Sequence, residues 1–176
     1  LDRKLCFMEQ NLRKTVAVCV GTGDFIWKLK RGKNVKYNCK KWGYEKFIQL
    51  SQKLVEDGYF VIWLGGNKEK EEIEKCPIYH SIHERFLKDM IGMTNISEVM
   101  DILASSDLVI GSDTGLMHCA AALNRKTLCI IGGTDPEKIR PYSSIGEIIY
   151  LNLSCSPCYG TEKAVYCQER KCLSQI

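Results

Sequence analysis

Short, continuous apolar runs recur along the chain, each closed by glycine or a polar turn. They are Thr15–Val20 (TVAVCV), Tyr59–Leu64, Asp107–Ile110, Thr127–Ile131 and Ile148–Leu151. Continuous rather than alternating apolarity suits strands buried on both faces, as in a parallel sheet. Segments with helical spacing stand between them. Lys40-Lys41-Trp42 opens one, with Trp42, Phe47, Leu50 and Leu54 on a single apolar face and Gly58 beyond its end. Lys68 to Lys75 is a charged helix start. Ile96, Val99, Met100 and Leu103 form a core stripe whose helix Thr94 or Asn95 caps. Met117–Leu123 is rich in Ala and Leu and favours helix, with Asp113 as N-cap and Asn124 as C-cap. Asp135 and Pro136 make a turn and a further helix start. Strands alternating with helices predict an α/β fold, a parallel sheet with right-handed crossovers. Leu1–Lys14, Phe25–Cys39 and Cys76–Asp89 carry no clear period.

Candidate chemistry lies where Asp107–Ile110 gives way to helix. Thr114, Gly115 and Leu116 present unpaired backbone N–H groups at the positive end of the helix dipole, a ready anion site that a phosphate fits. Gly115 lets a ligand approach the backbone closely. His118 follows Thr114 by one helical turn and shares its face. Gly21-Thr22-Gly23-Asp24, after the first strand, offers N–H groups to a phosphate or is a plain turn. Gly65-Gly66 closes the next strand at its carboxyl end, where open α/β sheets bind ligands. Singly, Asp113 could be only a cap, Gly115 a packing glycine and His118 an interior histidine.

Together these residues say more. Asp113–His118 (DTGLMH), the Ala-Ala-Ala-Leu that follows and Gly132–Pro136 (GGTDP) closely resemble the donor-binding signature of glycosyltransferase family 9, the heptosyltransferases of lipopolysaccharide core assembly. The resemblance runs from about Thr15 to Ile176 and covers the second half of the family's architecture. It implies a Rossmann-like sheet flanked by helices, the second domain of a GT-B glycosyltransferase. It implies that Lys40, in the Lys-x-Trp segment, contacts the donor phosphates; the Thr114–Leu116 helix start and the Thr22 turn are the places read above for the same anion. Glu69 matches a glutamate that meets the ribose, and Met93, in Met90–Thr94, lies against the base. Asp113 would fix the loop and reach the sugar, and His118 would support the phosphate or sugar side. The implied donor is a nucleotide-sugar, ADP-heptose, and the implied acceptor is the lipopolysaccharide core. The acceptor site and the general base would belong to an amino-terminal domain not present here, so no catalytic residue is expected in this chain and no cofactor. The implied location is cytoplasmic, with peripheral association at the inner face of the bacterial inner membrane left open.

Composition narrows the classes further. Apolar residues make up 45% and charged residues 26% of the 176, as in an ordinary globular domain with a core. A net charge of +4 weakly suits anionic ligands, lacks the footprint of a nucleic-acid binder, and no nucleic-acid partner is expected. There is no apolar run of membrane-spanning length and no signal-peptide pattern at Leu1.

Of ten cysteines, Cys6, Cys19, Cys39, Cys76, Cys119 and Cys129 are scattered and read as small buried hydrophobes in a reducing compartment. Cys155, Cys158, Cys167 and Cys172 cluster. Cys155 and Cys158 have zinc-ligand spacing, and four thiolates suffice for a structural site. The expectation is nonetheless packing without metal, because the resemblance includes these cysteines. The expected organisation is a lead at 1–14, a nucleotide-sugar-binding domain at 15–153 and a cysteine-containing tail of the same domain at 154–176. The rival readings are a sugar-nucleotide epimerase of similar fold and a non-catalytic nucleotide-binding or zinc-stapled interaction module.

Overall fold

The computed structural model describes residues 13–22, 25–28, 34–81 and 84–176. Most of the lead and the Gly23-Asp24 half of the first turn lie outside the described residues. Six strands, β1 (Thr15–Cys19), β4 (Phe60–Leu64), β5 (Leu87–Asp89), β6 (Leu108–Ser112), β7 (Lys126–Ile131) and β8 (Glu147–Tyr150), form one sheet in the order β5-β4-β1-β6-β7-β8. Every neighbouring pair is parallel. The fold is therefore the expected Rossmann-like α/β architecture, a parallel sheet flanked by helices.

Alternate residues of each strand serve opposite faces. Val16, Val18, Val61, Trp63, Ile110 and Ile130 join Phe47 and Ile48 of α1 (Tyr44–Glu56) and Ile73 of α2 (Asn67–Ile73). Ala17, Cys19, Ile62, Leu64, Val109 and Ile131 join Val99, Ile102 and Leu103 of α3 (Ile96–Ser105), and Met117 and Ala120 of α4 (Gly115–Ala122). Burial on both faces explains why the central strands are continuously apolar. Beyond α5 (Pro136–Ile139) and β8, the tail carries α6 (Glu162–Tyr166) and α7 (Lys171–Ser174). Cys172 and Leu173 of α7 enter the first of these clusters.

Several expectations need correction. Within Phe25–Cys39, β2 (Phe25–Lys28) and β3 (Asn34–Tyr37) pair as antiparallel strands. Cys76–Asp89 holds two 3-10 turns and β5, whose burial is confined to Leu87 because it is short and at the sheet edge. The helix expected from Lys40 begins at Tyr44, because Gly43 at its N-cap takes φ 114°. In the α3 stripe Ile96, the first residue of the helix, is 66% exposed, while Ile102 is buried with Val99 and Leu103.

The α3 start is built as a capping box. Asn95 Oδ1 accepts from the Glu98 N–H at 3.0 Å, and Glu98 Oε2 accepts from the Asn95 N–H at 3.0 Å. Asn95→Ala should lower stability by about 1 kcal/mol, a fall in Tm of about 2–4 °C by thermal denaturation for a chain of this size.

Candidate functional site

The order of strands selects one edge of the sheet. From β1 the chain moves outward to β4 and β5, then returns to β6 on the other side and continues to β7 and β8. The reversal lies between β1 and β6, and ligands of open α/β sheets bind outside the carboxyl ends of the strands at such a point. The segments leaving these ends are Gly21-Thr22 after β1 and Asp113-Thr114 after β6.

Asp113 is the electrostatic centre. It is 6% exposed, and Lys40 Nζ lies 2.6 Å from its Oδ2. His118 Nε2 stands 3.8 Å from Oδ1, with the imidazole 47% exposed. Asp113 is thus not the cap of α4. The N-cap is Thr114, without a side-chain capping bond. The carboxylate spends its charge on Lys40, and the first N–H groups of α4 receive no side-chain cap. Lys40 precedes α1 by several residues, and the carboxylate it meets is that of Asp113.

Gly115, the first residue of α4, is exposed, and a Cβ built there would meet nothing within 4 Å. No positive φ and no packing contact among the described residues requires glycine. The space beside it is open to a ligand. Leu116 follows half-buried in the same first turn.

A chain of hydrogen bonds fixes Lys40. Its N–H donates to Asn38 Oδ1 at 3.0 Å, and Asn38 Nδ2 donates to Thr22 Oγ1 at 2.7 Å. Thr22, Lys40, Asp113, Thr114, Gly115 and His118 therefore belong to one constellation. Lys41 and the Tyr44 hydroxyl hold Glu72 of α2 at 2.5 and 2.9 Å. The hydrogen bond from Lys41 is the main reason the Glu72 carboxyl lies below the usual range. That grip ties the Lys40 segment to the helix carrying Glu69.

Glu69 and Met93 line the adjoining loops. Glu69 Oε2 accepts from the Gly66 N–H at 2.9 Å, and its carboxylate lies against Gly21. The Gly92 N–H donates to Gly65 O at 2.9 Å, which brings the Met93 loop beside that of Glu69. Met93 is 60% exposed, an apolar side chain offered at the rim.

Sequence reasoning missed several members. Asn38 could have been found as an Asx residue before Lys40. The hydroxyls of Ser112 and Thr134, at the ends of β6 and β7, are buried and make no hydrogen bond, and the same holds for that of Thr114, which the sequence did single out. A buried polar group left dry costs about 1–3 kcal/mol, so these positions call for a polar ligand or solvent. Tyr159 is the member no local pattern could reveal. Its ring centroid lies 5.1 Å from Lys40 Nζ.

The nine described cysteines are free thiols. The tail closes on the site: the Gly133 N–H donates to Cys39 O at 3.1 Å, and Gly133 O accepts from the N–H groups of Cys158 and Tyr159 at 2.8 and 2.7 Å. Burial, then the neighbouring Cys158, pushes the Cys39 thiol up to about 11. Burial likewise raises Cys158 and Cys172. Among the described residues, no three His, Cys, Asp or Glu side chains form a group that could hold a metal ion. Among the same residues no helix is long and apolar enough to cross a membrane.

The sequence profile of glycosyltransferase family 9 (heptosyltransferase) matches residues 33–168. The lipooligosaccharide heptosyltransferase 2 of Haemophilus influenzae is 34% identical over 115 residues, 64% of this chain and 33% of that protein. The structure of the E. coli ADP-heptose lipopolysaccharide heptosyltransferase II superposes with a TM-score of 0.65 at 20% identity, over 99% of this chain and 49% of that one. E. coli heptosyltransferase WaaC with ADP gives 0.60 at 23% identity, over 77% and 37%. The chain thus spans about a third of the length of its curated relative and about half of the first of these structures.

Proposed function

The chain belongs to glycosyltransferase family 9, the heptosyltransferases, and on that premise we propose that it is the donor-binding part of an inverting heptosyltransferase of lipopolysaccharide core assembly. Its ligand is a nucleotide-sugar, ADP-heptose. The observation that carries this reading is the Lys40–Asp113 pair beside the start of α4, with open space at Gly115. Solved relatives carry ADP or ADP-2-deoxy-2-fluoro heptose.

In this reading the diphosphate lies on the N–H groups of Thr114, Gly115 and Leu116. Negative charge grows on it as the glycosidic bond breaks, and these dipoles with the Lys40 ammonium stabilise that charge more in the transition state than in the ground state. Lys40 exchanges part of its contact with Asp113 for phosphate. Asp113, freed on one oxygen, and His118 face the sugar hydroxyls. Thr22 supports the phosphate side, Glu69 accepts from the ribose hydroxyls, and Met93 packs on the base. The acceptor and the general base belong to a further domain of the full enzyme, which works in the cytoplasm beside the inner membrane.

Calorimetry with ADP, run beside a transfer assay on this chain alone, tests the assignment. The expected result is weak ADP binding and no transfer. Absence of ADP binding would remove the donor-site assignment. Robust turnover by the isolated chain would refute the placement of the base elsewhere.

A further inference from the structure

We propose that Tyr159, in the cysteine-bearing tail, is a positioning residue that holds the Lys40 ammonium in place for the donor diphosphate. The proposal rests on the donor-site reading above and adds the tail to it.

The geometry begins at Gly132-Gly133, where β7 ends. A Cβ on Gly132 would come within 2.6 Å of both Cys39 O and Leu173 Cγ, so the Cys39 backbone and the Leu173 side chain both close on this glycine. Ser156 Oγ donates to Gly132 O at 2.8 Å, and the Cys158 and Tyr159 N–H groups share Gly133 O. On the other side the Gly133 N–H holds Cys39 O, next to Lys40. The tail and the Lys40 segment are therefore registered on the same two glycines. Gly160, at φ +81°, turns the chain away immediately after Tyr159, and the Thr161 hydroxyl closes that turn on Cys158 O at 2.6 Å.

The outcome is a ring carried to Lys40 by fixed backbone. The ammonium has Asp113 at 2.6 Å and the Tyr159 ring at 5.1 Å from its centroid. The two partners differ in kind. Asp113 is an anion and competes with phosphate for the lysine. The ring is neutral, attracts a cation through its quadrupole, and keeps its grip when the ammonium turns to an incoming anion. A lysine stem is long and loses rotamer freedom when held. A ring that has already restricted it leaves less ordering for the ligand to impose. Tyr159 is 39% exposed, so it is not a core residue whose loss would unfold the domain.

Calorimetry with ADP and with adenosine, on Tyr159→Leu and Tyr159→Phe, tests this, with Tyr159→Leu repeated in a Lys40→Ala background. Tyr159→Leu should weaken ADP about three- to fivefold, the scale of an exposed cation–π contact. Tyr159→Phe should restore wild-type affinity, adenosine should be unaffected, and the loss should vanish when Lys40 is absent. An unchanged ADP affinity in Tyr159→Leu, an equal loss for adenosine, or a loss that persists without Lys40 would overturn the proposal. The clamp itself is read without nucleotide by the rate at which an amine-acylating reagent labels Lys40, followed by mass spectrometry. Labelling should rise in Tyr159→Leu and not in Tyr159→Phe, and an unchanged rate would overturn the contact. If the wild-type chain binds no ADP while labelling responds as expected, the donor-site reading fails and the clamp stands.

Discussion

Gly115→Val should abolish ADP binding and leave the thermal stability of the free protein nearly unchanged. The two halves of this expectation have separate grounds. The first residue of α4 has no positive φ, and a Cβ there would touch nothing within 4 Å among the described residues. The folded chain therefore has no need of glycine, and the substitution even restricts the unfolded chain, which stabilises by about 0.4–1 kcal/mol where the native geometry is compatible. A diphosphate on the first N–H groups of α4 does need it. Those groups bind only an oxygen at hydrogen-bond distance, about 2.7–3.2 Å, and a branched side chain fills that approach. Calorimetry with ADP and a melting curve on the same sample decide the matter. Retained ADP affinity would mean that the diphosphate does not sit on this helix. A large fall in Tm would mean that Gly115 serves packing after all.

How much of this was legible in the sequence depended on how local each cause is. The strands β1, β4, β6 and β7 were legible because a strand buried on both faces leaves a continuous apolar run. β5 was not, because it is short, lies at the edge and buries mainly Leu87. The β2–β3 pair was hidden by the density of lysine and arginine around it. Caps show the same division. Asn95 acts on its own helix start through neighbours in sequence, and sequence identified it among two candidates. Asp113 has the residue type and place of an N-cap, yet a lysine far back in the chain claims its charge. Local propensity cannot foresee that contest.

The site divides likewise. The Asp113–His118 string lies within one strand–helix junction, and its chemistry could be read there. The link from Thr22 through Asn38 to Lys40 crosses between segments. Tyr159 depends on Gly133 receiving two N–H groups from the tail. The cysteines drew attention to the tail as a metal candidate. At this edge the tail also places the Tyr159 ring 5.1 Å from Lys40 Nζ and a set of backbone hydrogen bonds on Gly133.

Lys40→Ala should weaken ADP by about 1–3 kcal/mol, roughly 5- to 150-fold, the scale of a hydrogen bond to a charged group. Adenosine, which lacks the phosphates, should bind almost as before. The same change has a second effect, visible without ligand. It leaves the Asp113 carboxylate, 6% exposed, without that ammonium, with the His118 imidazole 3.8 Å away. Removing one member of a fully buried pair costs about 3–5 kcal/mol. The Lys40 side chain keeps 23% of its surface in solvent, so the loss here should fall below that range. The melting temperature of Lys40→Ala should therefore drop, and affinities must be compared well below it. Adding Asp113→Asn separates the two effects. It removes the orphaned charge, so stability should recover while ADP affinity does not. If ADP and adenosine weaken equally in Lys40→Ala, the lysine is a structural counter-charge to Asp113 and does not meet the phosphates. If ADP alone weakens, and stays weak in the double variant, the ammonium that neutralises Asp113 in the free protein is the one the diphosphate takes.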